Sequence, residues 1–190
     1  MEKKYIFAPY IMENSIDTVR ISDILRITHL NVSFAHIIDG EVSVEHLNYL
    51  NRIAIYKKIN PDLKVILSIG GWGADGFSQA AKTKEGCEKF AKTAMKIVTD
   101  WDFDGVDIDW EYPCSDQAGI VYADYDKENY TLLLQELRNS LDNLNSGKKY
   151  ILTAAVGGGE YFIDGTEMEK VSKILDYVNL MTYDLRGGFT

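Results

Sequence analysis

Three carboxylic acids stand at alternate positions in one short stretch of the chain: Asp107, Asp109 and Glu111, separated by Ile108 and Trp110. In a β-strand successive side chains point to opposite faces, so the three carboxyls share one face at steps of about 6 to 7 Å. Acidic side chains are rarely buried without a partner or a chemical role. Clustered like charges oppose full ionisation, which keeps one proton available for donation to a leaving group. The stretch therefore predicts acid–base chemistry.

Glu111 stands at the carboxyl end of this strand, where barrel enzymes place their chemistry, so it is the predicted proton donor. Asp109 is then an electrostatic helper and Asp107 the deeper proton partner. One alternative is a solvated edge strand, which the bulky apolar opposite face argues against. Another is a magnesium or calcium site, which the lack of a Gly-rich calcium loop and of a phosphate-binding motif argues against.

The elements that must position the carboxyls follow from apolar runs that alternate with stretches of helical period. Six strands are predicted, at 5–9, 29–35, 64–69, 105–111, 150–156 and 177–183. Helices are predicted after Ser43, after Thr83, across 126–143 and, more briefly, after Thr166. This alternation predicts an α/β fold with a parallel sheet, either doubly wound or closed into a (β/α) barrel. A complete eightfold barrel typically takes about 250 residues, more than this chain has.

Composition limits the classes of partner. The chain has 190 residues, 46% of them hydrophobic, and a net charge of −9, which is typical of one globular domain and opposes binding to nucleic acids or anionic membranes. No apolar run approaches the roughly 20 residues of a transmembrane helix, and no signal peptide is visible. The two cysteines and three histidines show no zinc-ligand spacing. We therefore expect neither a metal nor an organic cofactor.

Three segments together resemble family 18 of the glycoside hydrolases, the chitinase family. Residues 104–111 match its D-G-x-D-x-D-x-E signature, residues 68–71 its S-x-G-G motif, and residues 181–184 its M-x-Y-D motif. The resemblance implies a (β/α)8 barrel with about its first six units present. Residues 1–190 would then be the N-terminal part of a catalytic domain, truncated after strand six. The open strand edges would make self-association possible.

The resemblance also implies a function: endo-acting hydrolysis of β-1,4-linked N-acetylglucosamine polymers, most simply chitin, with retention of configuration through the substrate's own acetamide. Glu111 would be the general acid and base, and Asp109 would orient the acetamide. Tyr183 would hydrogen-bond the acetamide oxygen, and Asp107 completes the catalytic group. Further candidate substrate-binding residues are Trp72, Tyr112, Met181 and Asp184. Secretion is the habit of the family.

Other functions stay open. The chain could be a chitinase-like lectin, an inactive truncated fragment, or a hydrolase of the N-glycan core or of peptidoglycan. Gly71–Gly76 formally matches a dinucleotide-binding motif, but Trp72 and Asp75 within it oppose that interpretation. Trp72 could stack on a sugar or simply pack, whereas Trp110 is predicted to pack in the core. The glycines at 157–159 are interpreted as a flexible loop that could line the cleft.

Overall fold

The computed structural model describes residues 5–144 and 147–184. Within them, seven strands form one sheet. The strands are β1 (Tyr10–Met12), β2 (His29–Ile38), β3 (Glu41–Ser43), β4 (Lys64–Gly70), β5 (Gly105–Asp109), β6 (Ile151–Gly157) and β7 (Tyr177–Met181). No helix in the described ranges is long and apolar enough to cross a bilayer.

Helices connect the parallel strands. They are α1 (Ile21–Ile24), α2 (Arg52–Ile59), α3 (Phe77–Ala81), α4 (Lys84–Asp100), α5 (Asp126–Asp142), α6 (Glu160–Asp164) and α7 (Met168–Val171), with a 3-10 helix at Glu13–Thr18. The predicted start of α4 is confirmed, because the Thr83 hydroxyl accepts a hydrogen bond from the Gly86 N–H at 3.1 Å, which caps the helix. Its apolar stripe, which includes Phe90 and Ala94, is buried.

The sheet is curled rather than flat. Its strands run in the order β1-β2-β4-β5-β6-β7, all parallel, with β3 antiparallel to β2. In a flat sheet, β1 and β5 would be three strand spacings apart, about 14 Å, beyond the reach of a tyrosine. Yet Tyr10 on β1 and Asn179 on β7 both hydrogen-bond Asp107 on β5. The fold is the predicted α/β architecture: the first six units of a (β/α)8 barrel.

Several predicted boundaries were wrong. The first strand begins at Tyr10 rather than near residue 5. The fourth predicted strand ends at Asp109 and the sixth at Met181, two residues early in each case. The helix predicted after Ser43 begins only at Arg52. Strand β3 was not predicted, although Asp39 and Gly40, with φ of 51° and 77°, supply the positive dihedrals of a two-residue hairpin turn.

Trp110 lies in the core, as predicted. Its side chain is 1% exposed, stacks on Phe77 with ring centroids 5.1 Å apart, and meets the edge of Tyr130 at 5.9 Å. These two rings belong to α3 and α5, so the face of the chain opposite the carboxyls is anchored to the helix layer. The carboxyls are thereby held toward the barrel interior.

Candidate active site

The three carboxyls of the ladder occupy the central strand and the residues just after it. Asp107 and Asp109 belong to β5, and Glu111 follows two residues past its end. All three are buried, with exposed fractions of 0%, 4% and 8% in chain order. The gradient runs from the barrel interior to its carboxyl-end mouth, where the chemistry of such barrels takes place.

Asp107 is held by four side-chain donors from four strands. The hydroxyls of Tyr10 and Ser68 donate to Oδ2 at 2.8 and 2.7 Å, and Thr153 and Asn179 donate to Oδ1 at 2.6 and 3.1 Å. A carboxylate has about four acceptor sites, so these donors fill them. The structure thus places Asp107 as the hydrogen-bonded centre of four strands, and its predicted role as the deeper proton partner stays a prediction.

Asp109 has the opposite environment. Its Oδ1 is buried and has no hydrogen-bond partner. Burial, together with the charges of Glu111 and Asp107, raises its pKa from 3.8 to about 8. The raised pKa favours the protonated carboxyl near neutral pH, and the buried Oδ1 is an unpaired polar atom of a residue that lines the cleft.

The S-x-G-G motif on β4 explains how the chain approaches Asp109 so closely. Ser68 pairs with Asp107 in the parallel register, and Gly70 pairs with Asp109. A Cβ on Gly70 would overlap the Asp109 carbonyl oxygen, and Gly70 has a φ of +113° that favours glycine. The Gly71 N–H donates to that same oxygen at 2.9 Å. Ser68 of the motif thus binds one carboxylate, and Gly70 leaves room for the backbone of the next, whereas a Cβ on Gly71 would meet the Phe34 ring.

Glu111 has properties suited to a proton donor. Burial raises its pKa, a hydrogen bond from the Tyr112 hydroxyl opposes that shift, and the Asp184 carboxylate adds to it. A raised pKa favours the protonated acid closer to neutral pH. The pKa of Tyr183 is also raised, first by burial and then by Asp109 and Glu111, so its hydroxyl remains a donor.

One cavity of about 740 Å³ joins the upper carboxyls to every predicted substrate-binding residue. Asp109 and Glu111 line it together with Trp72, Tyr112, Met181, Tyr183 and Asp184. Gly159 also lines it, as predicted for the loop at 157–159, whereas sequence reasoning missed three other lining residues: Phe34, Gln117 and Tyr161. Sequence reasoning also missed Tyr10, Thr153 and Asn179, which donate hydrogen bonds to Asp107. A single polar residue within an apolar strand, as in 151–157 or 177–181, indicates a buried hydrogen bond and could have identified the last two.

The glycine-rich loops have defined contacts. Asp75 accepts a hydrogen bond from the Gly76 N–H at 2.7 Å, so a loop amide that would face a pyrophosphate is already occupied. Gly157 and Gly159 lie against the ring of Tyr161, where an added Cβ would overlap it.

Trp72 is 64% exposed and meets Tyr112 only edge-on at 6.2 Å, so its indole is available at the cleft. No group of three or more potential ligands in the described ranges is arranged to hold a metal ion.

Known proteins are similar to this chain in sequence and in fold. Chitinase A1 of Niallia circulans is 43% identical over 148 residues, which cover 76% of this chain and 21% of that protein. The solved structure of a family 18 N-acetylglucosaminidase from Paenibacillus barengoltzii superposes with a TM-score of 0.95 at 44% identity, covering 98% of this chain and 56% of that one. Human YKL-39, described as a pseudo-chitinase with retained chitooligosaccharide binding, superposes at 0.83 with 26% identity, covering 98% of this chain and 53% of that one.

The chain therefore spans about one fifth of chitinase A1 and about half of the solved relatives named here. The family model described as glycosyl hydrolases family 18 matches residues 7–189, nearly the whole sequence. With three motifs at the mouth of one parallel barrel and this match along its length, the chain belongs to family 18 of the glycosyl hydrolases.

Proposed function

We propose that this site cleaves the β-1,4 bonds of N-acetylglucosamine polymers, most simply chitin, with Glu111 as general acid and base. The observation that carries the proposal is a buried acid of raised pKa, Glu111, in one cavity with a second carboxyl, Asp109, that has a buried oxygen without a hydrogen-bond partner. Chitinase A1, the relative with 43% identity, bears that activity in its name.

The proposed first step transfers the Glu111 proton to the glycosidic oxygen as the bond from that oxygen to the anomeric carbon breaks. The acetamide oxygen of the same sugar bonds to the anomeric carbon and forms a cyclic cation. Asp109 accepts a hydrogen bond from the acetamide N–H through a carboxyl oxygen, which orients the acetamide for its attack. The Tyr183 hydroxyl donates to the acetamide oxygen.

In the second step the Glu111 carboxylate removes a proton from water, and the resulting oxygen attacks the anomeric carbon. The bond to the acetamide oxygen breaks, which restores the acetamide and leaves Glu111 protonated for the next cycle. Two displacements at one carbon retain its configuration.

The deciding experiment compares Glu111→Gln with the parent chain on a chromogenic chitobioside and on colloidal chitin. We expect a loss of about 10²- to 10⁴-fold, the range for removal of a general acid–base group. The matched control is Glu85→Gln, which changes an exposed carboxyl on α4. Equal rates for parent and Glu111→Gln would remove Glu111 from the chemistry.

A second candidate is a carbohydrate-binding protein without turnover, which the relation to YKL-39, a pseudo-chitinase by its description, favours. Calorimetry with N-acetylglucosamine oligomers beside a turnover assay separates the two, because binding without cleavage would select the lectin. A panel of substrates that includes N-glycan cores and peptidoglycan then identifies which polymer is hydrolysed.

We further propose that these six units act within a longer barrel, since β1 and β7 have one strand neighbour each in the described ranges. Extension by roughly 60 to 150 residues, from typical barrel lengths, should raise the chitinase rate and reduce self-association in sedimentation. A 190-residue chain that is monomeric and equally active would contradict this.

A further inference from the structure

A second cavity lies next to the catalytic one, at the carboxyl ends of β1, β2 and β4. It measures about 610 Å³ and shares two lining residues, Phe34 and Trp72, with the cavity that holds Asp109 and Glu111. Because the Trp72 indole is 64% exposed and lines both cavities, a ligand chain in the catalytic cavity can pass over it into the second. The two cavities are parts of one groove.

The wall of the second cavity is anionic. Glu13 and Asp75 line it, and no lysine or arginine of the described ranges does. The exposed His36 also lines it, with its ring stacked on His46 at a centroid distance of 3.6 Å. Partial desolvation and the neighbouring His46 lower the pKa of His36, against an opposing effect of Glu13, and this direction favours a neutral imidazole beside the two carboxylates.

The carboxylates of Asp75 and Glu13 differ in how many hydrogen bonds they accept from the protein. Asp75 Oδ1 accepts the backbone N–H groups of Gly76 and Val121, at 2.7 and 3.2 Å, and so holds two loops. Glu13 Oε2 lies 3.4 Å from His46 Nε2, but that nitrogen is closer to the Phe34 carbonyl oxygen, at 2.9 Å. Glu13 therefore has capacity to bind a cationic ligand.

We propose that this cavity prefers a sugar unit with a free 2-amino group, so that the groove binds partially deacetylated chitin with that unit beside Glu13. Glu13 pairs with the ammonium, while Trp72 and Phe34 contact the apolar face of the sugar. A neutral acetamide at the same carbon gains no ion pair from Glu13. The inference rests on the proposed function, because it supposes a chitin-type polymer in the adjoining cavity.

The test measures binding without turnover, in the Glu111→Gln background. The chain is incubated with β-1,4-linked pentamers of N-acetylglucosamine from which some acetyl groups have been removed, and the bound fraction is recovered and sequenced by mass spectrometry. We expect free amines to be enriched about 1.5- to fivefold at one position over the starting pool, which is the contribution of one partly exposed ion pair. Added Glu13→Gln should abolish that enrichment, and the matched exposed-carboxyl control Glu45→Gln should retain it.

Uniform enrichment that survives Glu13→Gln would show that the net charge of the chain attracts amines, and it would overturn the inference. No enrichment, or no binding of any pentamer, would also overturn it. Hydrolysis of fully acetylated chitin is measured separately with Glu111 intact. Hydrolysis without amine enrichment leaves the proposed function standing and removes this inference, whereas enrichment without hydrolysis removes only the catalytic proposal.

Discussion

Asp107 and Asp109 stand two residues apart on the same face of β5, yet the protein surrounds them in opposite ways. Asp107 accepts four side-chain hydrogen bonds, whereas Asp109 has an oxygen with no partner and a pKa raised to about 8. Buried polar groups are normally satisfied, and exceptions concentrate where function needs them. Asp107 is thus an anchoring carboxylate that holds strands together, whereas Asp109 is a carboxyl with a buried oxygen that no protein group binds.

Removal of the anchoring carboxylate should have the greatest effect on stability. Asp107→Ala leaves four buried or half-buried donors on β1, β4, β6 and β7 without an acceptor. We therefore expect a loss of about 3 to 5 kcal/mol in the free energy of unfolding. Urea unfolding followed by circular dichroism measures it. The exposed Asp62→Ala serves as control and should change stability by less than about 0.5 kcal/mol. An unchanged midpoint for Asp107→Ala would show that the network is not an anchor.

Asp109→Asn should act in the opposite direction on stability. Because the folded-state pKa of Asp109 is raised, its contribution to stability is present below about pH 4 and is lost as the pH rises through about 8. Asn stays neutral, so the variant should gain about 1 to 3 kcal/mol over the parent at pH 8 and above, and little at pH 4. Unfolding midpoints at both pH values test this.

The same variant should lose about 10²- to 10³-fold in turnover, since a preorganised group facing a developing charge is removed. Greater stability with lower activity is the expected trade at a functional site. If the Asp109→Asn variant were less stable than the parent at pH 8, that result would contradict the prediction that the buried Asp109 carboxylate destabilises the fold.

Loss of a single donor to the anchoring carboxylate should have the mildest effect. Tyr10→Phe removes one of the four donors to Asp107 and keeps the ring, so it should cost about 0.5 to 1.5 kcal/mol. Tyr125→Phe, which changes an exposed tyrosine, is the matched control. A loss as large as that of Asp107→Ala would mean that the four bonds form one cooperative network rather than separate contributions.

Much of the site could be predicted from the sequence, because its central residues lie close together in the chain. Alternation along one strand placed Asp107, Asp109 and Glu111 on one side and Trp110 on the other. Apolar runs between helical periods predicted six parallel strands and their order along the chain. The ends of β1, β5 and β7 were misjudged because strand ends depend on pairing partners. The start of α2 was predicted too early, and β3 was missed despite its Asp-Gly turn.

The difference between the carboxyls depends on tertiary contacts. Tyr10 and Asn179 lie 97 and 72 positions from Asp107, and they meet it because the sheet curls, which no local pattern encodes. The exposure of Trp72 and the second cavity beside it likewise depend on how the ends of β1, β2 and β4 come together. Local sequence specifies which chemical groups stand on one strand, and long-range packing specifies which of them is anchored and which is free, because desolvation and hydrogen bonding are set by neighbours distant in the chain.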